Sequence, residues 1–222
     1  MLEKEIISPQ RVAAMVEEGM TIMIGGFMAV GTPEKIIDAL VEKGVGNLTI
    51  IANDTGFIDR GIGKLVVNKQ VHKIISSHIG LNPETGRQMS CGELEAELVP
   101  QGTLVERIRA GGAGLGGVLT RTGLGTVVED GKQQIIIDGQ PWLLEHPLQA
   151  DIALIHCSIA DTAGNAMFNK TTKNFNPVMA TAARLVIAEC ESIVPMDCAA
   201  ADRYNTPGIF IDYLVKGEDH HG

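Results

Sequence analysis

The chain has 222 residues, 45% hydrophobic and 20% charged. That size and balance support a substantial core and exclude a disordered or fibrous polymer. Its net charge of −9, with basic residues scattered, argues against nucleic acid as the main partner but leaves room for a small anionic ligand.

No run approaches the roughly 18 apolar residues of a membrane span. The opening "MLEKEIISPQ" has early acids and no apolar segment of the kind a signal peptide carries. Cys91, Cys157, Cys190 and Cys198 form no Cys-x-x-Cys pair, so reduced thiols in a cytoplasmic protein are expected, with Cys157 in the core. The histidines do not cluster with cysteines or acids at metal spacing, so no metal is expected, and His220-His221 is read as tail.

In chain order, Ser8-Pro9 opens a helix, because serine caps well and proline suits the first helical position. Val12, Met15 and Val16 recur at helical spacing, and Gly19 closes the helix. Residues 20–24 are an apolar run of the kind a buried parallel strand needs. A glycine-punctuated turn follows. Thr32-Pro33 then caps a second helix, whose Ile36, Ile37, Leu40 and Val41 share one face and which Gly44 ends. Residues 48–52 read as the next buried strand. This βαβ order favours a parallel sheet with a right-handed crossover.

Residues 53–68 mix turns with one short helical run. Residues 73–77 and 94–99 are strand candidates, 103–110 a short helix, and 111–131 a long, glycine-rich ordered loop. "QQIIIDGQPWLLE" places two apolar runs around Asp138-Gly139, a hairpin signal. Such a hairpin is expected at the rim of a mostly parallel sheet. Residues 151–156 and 184–188 are further buried strands. No internal repeat or boundary is visible. The expectation is one α/β domain over residues 1–222: an open, mostly parallel sheet flanked by helices, with a peripheral β-hairpin.

Four stretches can carry chemistry. Gly25, Gly26, Phe27, Met28, Ala29, Val30 and Gly31 form a turn between a strand's carboxyl end and a helix N-terminus, where open α/β sheets bind ligands and dipoles favour anions. A plain packing turn is the alternative. Asn53 and Asp54 follow the next strand at the same sheet edge, as a pocket wall or a bare turn. Gln101, beside Gly102 at a strand end, offers an amide for a carboxylate or a developing oxyanion, or an ordinary cap. Gly112 to Gly117 matches Gly-x-Gly-x-x-Gly formally, but it follows a helix rather than a strand, so dinucleotide binding is not expected. Arg107 and Arg109 read as solvated helix-face residues, and the Asn174–Pro177 loop has no assignable chemistry. No Gly-x-Ser-x-Gly, Walker A or His-Glu-x-x-His motif is present.

Together these residues carry a resemblance. "EEGMTIMIGGFMAVGTP" resembles the N-terminal signature of the family I coenzyme A transferases through Gly19, Ile22-Met23-Ile24, Gly25-Gly26-Phe27, Gly31 and Pro33. Glu18 stands where that signature has Asp or Asn. "LVPQGTLVERIRAGGAGLGGVLTRTGLGTVVE" and "NFNPVMATAA" are similar to the α (A) subunits of the acetate/acetoacetate type.

The resemblance implies an open sheet shared with ribose-5-phosphate isomerase, and acyl-CoA as substrate with no permanently bound cofactor. It implies ping-pong transfer through a glutamyl-CoA intermediate. In that family the glutamate lies in a Ser-Glu-Asn-Gly motif of the β subunit. No glutamate here is followed by asparagine, so a β partner, in an α2β2 assembly, is expected to supply it. The resemblance also assigns residues 25–31 to coenzyme A binding and Gln101 to oxyanion stabilisation. A sugar-phosphate isomerase on the same fold, or a non-enzymatic acyl-CoA sensor, is the alternative.

Overall fold

The computed structural model describes residues 3–196 and 202–217; Cys198 and His220-His221 lie outside them. Strand β1 (Glu5–Ile6) leads into α1 (Pro9–Met15), capped by Ser8, whose hydroxyl accepts from the Arg11 N–H at 3.2 Å. The helix stops a turn before Gly19: Val16 is already extended, at φ −86° and ψ 124°. Lys43 Nζ donates to the Ala13 and Val16 carbonyls at this helix end, the first of which also accepts from the Val16 N–H.

Strand β2 (Thr21–Ile24), α2 (Glu34–Lys43), β3 (Leu48–Ile51), α3 (Gly63–Val67) and β4 (Val71–Ser76) follow as anticipated. Helix α4 (Pro83–Ser90) was not anticipated, although Asn82-Pro83 opens it as Ser8-Pro9 opens α1. Then come β5 (Glu95–Leu98) and α5 (Gln101–Gly112). Gln101 therefore starts a helix rather than ending a strand. After the small strands described below, β9 (Ala150–Asp161), β10 (Ala166–Met167), α6 (Asn176–Met179), β11 (Ala183–Val194) and β12 (Tyr213–Lys216) complete the order.

The main sheet runs β1-β12-β11-β9-β2-β3-β4-β5, parallel throughout, with β10 antiparallel on β9. Side chains alternate between its faces. Ile22, Ile24, Ile152, Leu154 and Ile187 pack beneath α1, α2 and α3. Met23, Ile51, Ala153, Ile155 and Val186 pack against α5 and α6. The chain spreads one way from β2 and the other way from β9, so the order reverses between these neighbours. Ligands of open sheets bind beyond the carboxyl ends at such a reversal.

Four further expectations need correction. The hairpin forms at Asp138-Gly139, both with positive φ, joining β7 (Gln134–Ile137) to β8 (Gln140–Glu145). It does not sit on the rim of the main sheet. It pairs with β6 (Val118–Thr120) in a separate antiparallel sheet, ordered β6-β8-β7. The 111–131 stretch thus contains a strand, not only loop.

Thr32-Pro33 does not cap α2 through a side chain. The buried Glu189 carboxylate of β11 takes the Lys35 and Ile36 N–H groups, at 3.3 and 3.0 Å.

A short repeat does exist. Gly-Phe-x-x-x-Gly occurs at Gly26–Gly31 and again at Gly56–Gly61, and in each copy the phenylalanine bridges the residue three on. With only six residues and two copies, it carries no periodicity that a scan for solenoid-length repeats detects.

Candidate active site

The turn after β2 is a two-residue hairpin. Phe27 N–H donates to the Val30 carbonyl at 3.0 Å and Val30 N–H to that of Phe27 at 2.9 Å. Met28 and Ala29, between them, have φ of 49° and 64°. The left-handed region costs about 1–2 kcal/mol for a residue with a Cβ, so this shape persists only because its surroundings hold it.

They do so at several points. Asp54 Oδ2 accepts from Met28 N–H at 2.9 Å. Asn174 Oδ1 accepts from Gly26 N–H, and its Nδ2 donates to the Val30 carbonyl. Asn176 Nδ2 donates to the Gly31 carbonyl at 2.9 Å, while its Oδ1 accepts from His156 N–H at 3.0 Å. The loop that the sequence left without chemistry is therefore the clamp on the glycine turn.

The glycines are needed by this clamp. A Cβ on Gly25 would lie 1.7 Å from Asn176 Oδ1, and one on Gly26 2.0 Å from Thr32 Oγ1. The space they leave is filled by the chain's own side chains. The N–H groups at the start of α2 are likewise committed to Glu189. What the turn presents outward is Phe27, Met28 and Val30, all exposed, above buried Gly25, Gly26 and Gly31.

A cavity of about 420 Å³ opens beside the turn, lined by Phe27, Met28, Asn53, Asp54, Ser77, His78, Leu81 and Gln101. These residues follow the carboxyl ends of β2, β3, β4 and β5. The structure thus brings Phe27, Met28, Asn53, Asp54 and Gln101 together. Ala29 and Val30 stay on the turn and do not line it. Sequence reading missed Ser77, His78 and Leu81, although Ser77 ends a predicted strand and His78 directly follows it, the position that made Asn53 a candidate.

Gln101 Nε2 donates to Asn53 Oδ1 at 2.6 Å, and Asn53 Nδ2 to Asp54 Oδ2 at 2.8 Å. Ser77 Oγ donates to the Asn53 carbonyl at 2.7 Å. A wall of amides beside apolar Phe27, Met28 and Leu81 suits a short acyl group bearing a carbonyl or carboxylate. Burial pushes the Glu189 carboxyl above its ordinary range, against the lowering effect of its two N–H donors.

Other candidates fall elsewhere. Gly111 and Gly112 lie in the last turn of α5, where a Cβ on Gly112 would strike Thr181, so Gly112 serves close packing. Arg107, expected to be solvated, is buried and pairs with Glu97 at 2.7 Å; Arg109 is exposed, beside Glu106. Buried Cys157 and Cys190 are free thiols facing each other across β9 and β11, Sγ to Sγ 3.0 Å. The contact with Cys190 and burial together push the Cys157 thiol up. Among the described residues no three His, Cys, Asp or Glu side chains are placed to hold a metal ion, and no helix is long and apolar enough to cross a membrane.

The fold and cavity define an open-sheet α/β protein whose candidate ligand site lies at the carboxyl ends of its strands, where the strand order reverses. Residues 6–217 match the family described as Coenzyme A transferase. The chain is 50% identical to the acetate CoA-transferase subunit alpha of Escherichia coli (strain K12), over 98% of this chain and 99% of that protein. It is 55% identical to the acetoacetyl-CoA:acetate/butyrate CoA transferase alpha subunit of Clostridium acetobutylicum, over 97% and 99%. Among solved structures, an acyl-CoA transferase from E. coli O157:H7, in a thioester complex with CoA, superposes with a TM-score of 0.89 at 22% identity. The superposition covers 99% of this chain and 49% of that one, so this chain spans about half of it. The chain belongs to the coenzyme A transferase family.

Proposed function

We propose that this chain is the α subunit of a short-chain acyl-CoA:carboxylate CoA-transferase of the acetate, acetoacetate or butyrate type, acting as one domain over residues 1–222. The observation that carries this reading is its near-complete alignment, at 50% and 55% identity, with two relatives named as alpha subunits of such enzymes. The cavity supports it through its apolar Phe27, Met28 and Leu81 wall and its Gln101 amide. Coenzyme A enters as a substrate, along the outward side of the Gly25–Gly31 turn. A β subunit, in an α2β2 assembly, supplies the glutamate that attacks the thioester, because no glutamate here stands before asparagine. CoA moves onto that glutamate, the donor acyl group leaves as its carboxylate, and an incoming carboxylate takes the CoA from the glutamyl-CoA intermediate, in ping-pong fashion. Gln101 donates to the oxyanion that develops on the thioester carbonyl.

The test is CoA transfer from acetoacetyl-CoA to acetate by this chain alone, by a β subunit alone, and by the two co-expressed. Turnover only in the mixture is expected; turnover by this chain alone would overturn the assignment of the nucleophile. In the mixture, Gln101→Ala should lower kcat about 10²–10³-fold, the usual effect of losing one such donor. An unchanged kcat would remove Gln101 from the chemistry.

A further inference from the structure

Beneath the cavity the hydrogen bonds run in one direction, and elementary donor and acceptor chemistry sets it. A backbone N–H can only donate. Met28 N–H reaches Asp54 Oδ2 at 2.9 Å, and Gly56 N–H reaches Asp54 Oδ1 at 2.7 Å, so both carboxylate oxygens are acceptors. The Asn53 side chain meets Oδ2 at 2.8 Å and must turn its Nδ2 towards it. Its Oδ1 then faces away and can only accept. The Gln101 amide, 2.6 Å from that Oδ1, must offer its N–H side. Each amide's orientation is thus dictated by its neighbour, and the half-turn flip that leaves isolated amides ambiguous is ruled out.

Asn53 and Asp54 are 1% and 5% exposed, whereas Gln101 is exposed at the cavity wall. Among the described residues the Gln101 side chain makes this one hydrogen bond, so its second N–H is uncommitted.

We infer that Asp54 is a positioning residue: acting through Asn53, it orients the Gln101 amide so that an N–H is available to a ligand oxygen. The same carboxylate holds Met28, so it also ties the orientation of that donor to the shape of the glycine turn. Asp54 is then a support within the cavity wall, with both oxygens committed to the chain, rather than a contact for substrate. A ligand that moved the Phe27–Val30 turn would pull on Met28 and, through Asp54 and Asn53, loosen or tighten the donor. The inference rests on the role given to Gln101 above.

Asp54→Asn would disturb the turn as well, so Asn53→Asp is the better probe. Ionised, an aspartate at position 53 has no proton to give Asp54 and is repelled by it, so the acceptor that it still offers Gln101 is displaced and no longer holds that amide in place. Protonated, it donates its O–H to Asp54 and still accepts from Gln101, which restores the original direction. Two carboxylates side by side hold one shared proton above the ordinary range. His78 also lines the cavity, so the wild-type profile is the reference. In the complex with β, the ratio of variant to wild-type kcat should be about 10⁻² at pH 8, as for loss of an oriented donor, and should climb as pH falls towards 6, with KM unchanged. A ratio independent of pH, or a variant as active as wild type at pH 8, would overturn the inference.

If that variant does not fold, Asn53→Ser, too short to bridge, should lower kcat with KM unchanged; a rise in KM alone would mark a substrate contact instead. A separate readout guards against failure of the functional reading. In the full chain, the Gln101 side-chain NH2 resonances, assigned by their loss in Gln101→Glu, should shift with pH in Asn53→Asp beyond any shift in wild type. If the wild-type complex transfers no CoA but these resonances shift, the functional reading fails and the relay stands. If they do not shift, the relay fails whatever the activity.

Discussion

Gly25 is fixed by its neighbour Asn176, from which an added methyl group would be separated by only 1.7 Å. Asn176 cannot give way cheaply, because it also serves the Gly31 carbonyl, the Thr172 carbonyl and the His156 N–H. Gly25→Ala should therefore cost about 1–3 kcal/mol, the range for overpacking a filled site. Urea denaturation measures it, and an unchanged midpoint would show that Asn176 swings aside freely. That Gly25 and Gly26 matter was legible in the sequence, since paired glycines at a strand-to-helix junction are unusual without cause. The cause was not. It is a side chain 151 positions further along, and no local pattern couples Gly25 to Asn176.

Helix α2 illustrates how a rule about local chemistry can be right in outcome and wrong in agent. The sequence places a helix there correctly, from the apolar spacing of Ile36, Ile37 and Leu40 and the Gly44 stop. Its amino end is satisfied not by Thr32 but by Glu189, 3% exposed, from a strand across the sheet. Burial raises this carboxyl in the folded state. The folded protein then holds a proton that the unfolded chain has released. The stability tied to that proton is fully present below the ordinary carboxylate value of about 4.5 and is lost as pH rises through the raised folded value. Glu189→Gln removes this dependence. Thermal melts should show the Tm difference, wild type minus variant, falling as pH rises above about 4.5; a difference flat in pH would contradict the raised carboxyl. Helix α4 was missed for an opposite reason. Its Asn82-Pro83 start is explicit, but Thr85, Gly86 and Gln88 supply no apolar stripe for periodicity to find.

The small antiparallel sheet is joined to the rest of the molecule by charge as well as by chain. Arg107 on α5 pairs with Glu97 and approaches Glu145 of β8 at 3.8 Å, while Lys132 closes on Glu145 from the other side. Glu145 is 2% exposed, so Arg107→Ala leaves carboxylates short of partners and should destabilise by about 3 kcal/mol. Arg109→Ala, at an exposed pair with Glu106, should change stability by about 0.5 kcal/mol or less. Chemical denaturation of the two variants compares them, and equal losses would mean that the buried network is not what holds the sheet. The buried strands β2, β3, β4, β9 and β11, the apolar face of α2, the Asp138-Gly139 turn and the family signature at residues 18–33 could be read from residue order, because each depends on neighbours within a turn or two, whereas the short strands β1, β6, β10 and β12 could not. Which strands lie side by side could not be read that way. Neither could the separate sheet that β6 makes with the hairpin, the burial of Arg107, or the meeting of Gln101, Asn53 and Asp54 beneath Met28. Those contacts join positions tens of residues apart, and they exist because a parallel sheet brings the carboxyl ends of successive strands to one edge.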